Sequence, residues 1–165
     1  MTMRVLVAGI GNVFFGDDGF GVAVAQHLRQ SGAGLAEDAH VVVRDVGIRG
    51  LHLAYDLVDG YDLLIAVDVI PSRGAPGTLH LIEPAREEGD VARGARDAHG
   101  MDLYSVMLTA KSLGAELPPV LVLGCEVEEP RAEMGMTSDV ERAIPAAARM
   151  IAEAIRRKQT EETVR

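Results

Sequence analysis

One cysteine, Cys125, and no tryptophan occur in a chain of 165 residues. A lone thiol excludes an intrachain disulfide and a multi-cysteine zinc site, and it fits a reducing compartment, so a cytoplasmic location is expected. Three phenylalanines and three tyrosines are the only aromatic residues, although 48% of the chain is hydrophobic, so the core has to be built from aliphatic side chains. Basic residues are outnumbered: 16 Lys and Arg against 25 Asp and Glu give a net charge of -9. A field of that sign repels nucleic-acid phosphates and anionic membranes, so neither is expected as a partner. No long apolar run is present. The stretch "MRVLVAGIGNVFF" is interrupted by glycine and asparagine, and it is too short for a spanning helix or the apolar region of a signal peptide. Also missing are the H-E-x-x-H of zinc proteases, the G-x-S-x-G nucleophile elbow and the G-x-x-x-x-G-K-[ST] phosphate loop.

What is present is an alternation of short apolar runs with helical periodicity. "RVLVA" (Arg4 to Ala8), "HVVVRDV" (His40 to Val46), "DLLIAV" (Asp62 to Val67) and "PVLVLGCEV" (Pro119 to Val127) read as buried strands, whereas "PGTLHLIE" (Pro76 to Glu83) alternates and suits an antiparallel edge. Between them, "FGVAVAQHLRQS", "LHLAYDLV" and "DLYSVMLTAKSLG" have helical spacing, with glycines as stops. A final helix is expected to begin at a capping box formed by Ser138 and Glu141, with Pro145 marking its first turn or a kink. From Arg156 onward the apolar stripe is lost. The expected organisation is therefore one domain over residues 1–158, with a frayed tail over 159–165. The expected fold is a three-layer α/β/α single domain, with a mostly parallel, twisted, five-stranded sheet and helices on both faces. With strand order 2-1-3 and later strands following, the crevice for chemistry opens beyond the carboxyl ends of strands one and three.

The loop after the first strand, "GIGNVFFGDDGFG", begins as a G-x-G, the opening of a dinucleotide-binding fingerprint. Phe14 stands where the third glycine belongs, however, and Asp17 and Asp18 would repel a pyrophosphate. Asp45 is also too far along the chain to be the ribose-binding acid. One aspartate could serve the dipole of the following helix, which leaves the other to face the crevice. Asp68 directly follows the apolar run of the third strand, where it is either a ligand or a turn residue of "DVIPSRGAPG". His99 lies in a long irregular stretch, Pro84 to Met101, while His27, His40, His52 and His80 fall within regular elements where structural roles suffice. Two carboxylates and one imidazole make an O, O, N set that can hold a borderline divalent cation and leave positions open. Cys125 lacks a recognisable base and reads as a core residue.

In order along the chain, "GIGNVFFGDDGFG", "DVGIRGLHLAYDL", "DLLIAVDVIPSRGAPGT", "DAHGMDL" and "LGCEVEE" resemble the hydrogenase maturation proteases over nearly the whole length. That resemblance implies an endopeptidase that trims the carboxyl-terminal extension from the large subunit of a nickel-iron hydrogenase after nickel has been installed. It also implies that Asp18, Asp68 and His99 are both the metal-recognising and the catalytic residues. Nickel would be presented by the substrate, other divalent metals could occupy the same site, and the enzyme would be a monomer. The G-G-T-x-G found after strand two in some members is here "VGIRG", Val46 to Gly50. Asn12 and Asp17 would shape the loop. Two rival readings make different predictions: a non-enzymatic nickel-binding assembly factor would bind without cutting, and a nucleotide module would bind a dinucleotide.

Overall fold

The computed structural model describes residues 2–32, 35, 39–84, 103–129 and 131–163. Five strands form one sheet: β1 (Arg4–Ile10), β2 (His40–Gly47), β3 (Leu63–Pro71), β4 (Leu79–Ile82) and β5 (Val120–Val127). Their spatial order is β2-β1-β3-β5-β4. The pairs β1/β2, β1/β3 and β3/β5 are parallel, and only β4 runs antiparallel, at the edge against β5. The expected 2-1-3 start and the antiparallel edge are both present.

Strand residues alternate between two apolar cores, as the period of two requires. Val5, Val7, Ile65, Val67, Leu121 and Leu123 meet α1 (Phe20–Ser31) and the C-terminal helix on one face. Leu6, Ala8, Leu64, Ala66 and Val122 meet α2 (Gly50–Val58) and α3 (Leu103–Ser112) on the other. This is the three-layer α/β/α arrangement, and both faces of the sheet are covered.

The last helix, α4, spans Ser138–Thr163 and differs from expectation at both ends. Its first backbone bond runs from Glu141 N–H to the Thr137 carbonyl, so Thr137 takes the cap position one residue before the expected Ser138. At the other end the helix continues past Lys158, although its buried stripe stops at Ile155. Ion pairs of Lys158 with Glu161 and Glu83, and of Arg157 with Glu161, favour the helical conformation where no core contact does.

Candidate active site

The sheet forks at the end of β1. Pairing between β1 and β3 runs from Val5↔Leu63 to Gly9↔Val67 and stops, whereas β3 stays paired to β5 through Pro71↔Val127. Asp68 is the first residue of β3 beyond the fork. It is held in register opposite Gly124, and it is only 6% exposed. The sequence places Asp68 just outside a strand ending at Val67; the structure places it inside a longer one. Val69 and Ile70 supply β-favouring residues after the aspartate, and Pro71 tolerates only a terminal strand position. Asp68 Oδ1 accepts from the Val69 N–H at 2.7 Å.

The opposite wall comes from the loop after β1. Residues Gly16–Gly19 form a 3-10 turn carrying Asp17 and Asp18, and this turn packs against β3. Gly11 has φ +136, and a Cβ built on it would lie 1.9 Å from the Asp18 carbonyl oxygen, so no larger residue allows Asp18 to approach β1 this closely. Asn12 N–H donates to Asp18 Oδ2 at 2.8 Å, while Asn12 Oδ1 accepts from Phe14 N–H at 3.0 Å. The start of α1 then rests directly on the fork. A Cβ on Gly21 would lie 2.2 Å from the carbonyl oxygens of both Ile10 and Val67, the last residue of β3 paired to β1.

The two adjacent aspartates have separate tasks. Asp17 Oδ1 accepts from the Thr137 N–H at 2.6 Å, and both of its oxygens contact the Thr137 hydroxyl, at 3.1 and 3.0 Å. It therefore fastens the first loop to the entrance of α4. Neither aspartate caps α1, whose N-cap is Gly19 with no side-chain cap bond. Asp18, 2% exposed, lies on the turn that packs against β3, the strand that carries Asp68. His99 lies outside the described residues, as does most of the long stretch that contains it. Among the described residues, no three His, Cys, Asp or Glu side chains come together as a metal-holding group.

Glu126, absent from the expected site, is the fourth buried acid among the described residues, 4% exposed on β5. Its carboxylate accepts from Arg73 N–H at 3.0 Å and Ser72 Oγ at 3.4 Å, and its other oxygen lies 2.7 Å from His80 Nε2. These donors, the Arg73 N–H first and His80 second, lower its pKa below the usual glutamate value. Glu126 thereby holds the segment after β3 against β5. The available signal was an acid within the apolar run "LVLGCEV". Cys125, next to it, is fully buried, and desolvation, with a smaller contribution from the Asp17 charge, pushes its thiol up to about 12. Such a thiol is a packing group and not a nucleophile.

The hydrogenase maturation protease family model, HycI, matches residues 22–154, and the chain belongs to that family. Over 156 residues it is 32% identical to the coenzyme F420 hydrogenase subunit delta of Methanothermobacter thermautotrophicus, covering 92% of this chain and 94% of that one. Among solved structures, the hydrogenase maturating endopeptidase HybD from Escherichia coli superposes with a TM-score of 0.75 at 26% identity, over 94% of each chain. The hydrogenase 2 maturation peptidase from a Thaumarchaeota archaeon gives 0.66 at 35% identity, over 92% of this chain and 97% of that one. The protein is thus a peptidase of hydrogenase maturation. No helix among the described residues is long and apolar enough to cross a membrane.

Proposed function

We propose that this peptidase removes the C-terminal extension of a nickel-iron hydrogenase large-subunit precursor once nickel is in place, and that Asp18, Asp68 and His99 recognise the nickel held by the substrate. What supports this reading is that two buried carboxylates come from adjoining elements, Asp18 on the turn that packs against β3 and Asp68 on β3 just beyond its pairing with β1. Hard, anionic oxygens at a site shielded from water attract a divalent cation, and an imidazole completes a set suited to a borderline metal. The nickel belongs to the substrate, so its presence would gate cutting. Bond breaking then falls to a water activated by a carboxylate or polarised by the metal, with no acyl-enzyme, because the only thiol is buried and strongly disposed to stay protonated. A reducing cytoplasm suits that thiol and the substrate thiolates alike.

The test is the mass of the precursor after incubation with the enzyme. A nickel-loaded precursor is expected to lose its tail, and a nickel-free one to stay intact. Equal cutting of both forms would remove the nickel requirement. Unimpaired cutting by Asp18→Asn and His99→Ala proteins would remove the site assignment. Binding without shortening would turn the protein into an assembly factor.

A further inference from the structure

Two loops flanking the turn of Asp17 and Asp18 are locked to each other, and each carries an exposed apolar side chain. The Gly16 N–H donates to the Glu133 carbonyl at 2.6 Å, and the Asp17–Thr137 bonds close the same seam. Phe14 projects from the first loop at 63% exposure, and Met134 from the second at 72%. The chain has only three phenylalanines, so leaving one in solvent forfeits much of its scarce aromatic packing area. Paired, rigidly mounted apolar tips of this kind suit recognition, and methionine adapts to an irregular partner surface.

The charge around them has one dominant sign. Glu128, Glu129 and Glu133 are exposed and, with Asp17, line a cleft of about 150 Å³ in which Arg131 is the single cation among the described residues. Asp17 is already engaged by Thr137, which leaves three glutamates facing outward against one arginine. Phe14 lies four positions before Asp18 on the same loop, and the neighbour of Asp18, Asp17, anchors the loop of Met134. The two exposed apolar side chains and the acidic cleft thus belong to the same pair of bonded loops that carries Asp18.

We infer that Phe14 and Met134 form a docking lip for the hydrogenase precursor, and that the lip takes a segment carrying an apolar side chain beside basic residues. This rests on the proposed function for the identity of the occupant. Complementary charge would speed encounter and set register, while the apolar pair would supply contact area.

The full-length enzyme is tested on its nickel-loaded precursor. The Phe14→Ser/Met134→Ser and Glu129→Lys/Glu133→Lys proteins are each expected to raise KM by about tenfold or more with kcat within about twofold of wild type. Added salt is expected to raise the wild-type KM and to leave that of the lysine variant nearly flat. Unchanged KM for the serine pair overturns the lip, and so does a wild-type dimer that this pair abolishes while KM stays constant. If wild type does not cut the precursor, the proposed function fails separately, and the lip is read from affinity for the same precursor. A tenfold loss in the variants then supports it, whereas equal affinities, or no binding by wild type, overturn it. All four replaced side chains are exposed, and either pair alone suffices for the reading should the other fail to fold.

Discussion

Asp17 and Thr137, 120 residues apart in sequence, are joined through the backbone N–H of Thr137 at 2.6 Å and again through its hydroxyl. The next residue, Asp18, is held instead by Asn12. Replacing Asp17 by Ala is expected to cost about 1–3 kcal/mol, because the donors of Thr137 lose a charged acceptor. Asp18→Asn keeps an oxygen for the Asn12 N–H, so the midpoint of thermal unfolding should hardly move while cleavage falls by about 100-fold or more. Melting curves and cleavage rates measured on the two proteins would show opposite patterns; a stable, inactive Asp17→Ala protein would contradict this division of labour.

The contact of α1 with the fork leaves no room for a side chain. Gly21→Ala puts a methyl 2.2 Å from two carbonyl oxygens and is expected to destabilise by more than about 3 kcal/mol, or to prevent folding. Gly32→Ala is the contrasting case. It has φ +60 with nothing within 4 Å, so only backbone strain of about 1 kcal/mol is expected. Urea unfolding of both proteins measures the difference.

Glu126 makes stability depend on acid. Its folded pKa lies below the unfolded value near 4.5, so its contribution is fully present above that value and is lost as pH falls through the lower folded pKa. Glu126→Gln should therefore be less stable than wild type at neutral pH and converge with it in strong acid. Thermal melts from neutral pH down past the glutamate range test the sign. A gap that widens toward low pH would refute it.

Cys125 should resist alkylation. With a thiol pushed up to about 12 and no exposed surface, the native protein is expected to keep its activity after treatment with iodoacetamide and to react only on unfolding. Cys125→Ala is expected to retain cleavage while losing roughly 1–2 kcal/mol from the core. Loss of activity with unchanged stability would instead give the thiol a chemical role.

Much of this could be read from residue order. Short apolar runs with helical segments between them specify the layers, and Asp17 and Asp18 stand out because charged pairs rarely sit among so many glycines. The end of β3 is not legible locally, because "DVIP" resembles a turn, whereas its pairing with β5 joins residues about 56 positions apart, such as Asp68 and Gly124. The partnership of Glu126 with His80 is hidden for the same reason, since the antiparallel edge pairing is what brings His80 opposite Gly124. At the start of α4 the tertiary bond to Asp17 fixes Thr137 as the boundary, ahead of the local signal at Ser138. Local patterns encode elements; contacts across the sheet decide where those elements stop.

The fork at Asp68 has an evolutionary consequence. Its backbone is pinned by the β3–β5 ladder and owes little to any loop, so the acid keeps its place however the surrounding rim changes. Sequence change in the exposed loop that bears Met134 leaves this ladder untouched. The rim can therefore be remodelled while the strand that carries Asp68 keeps its course.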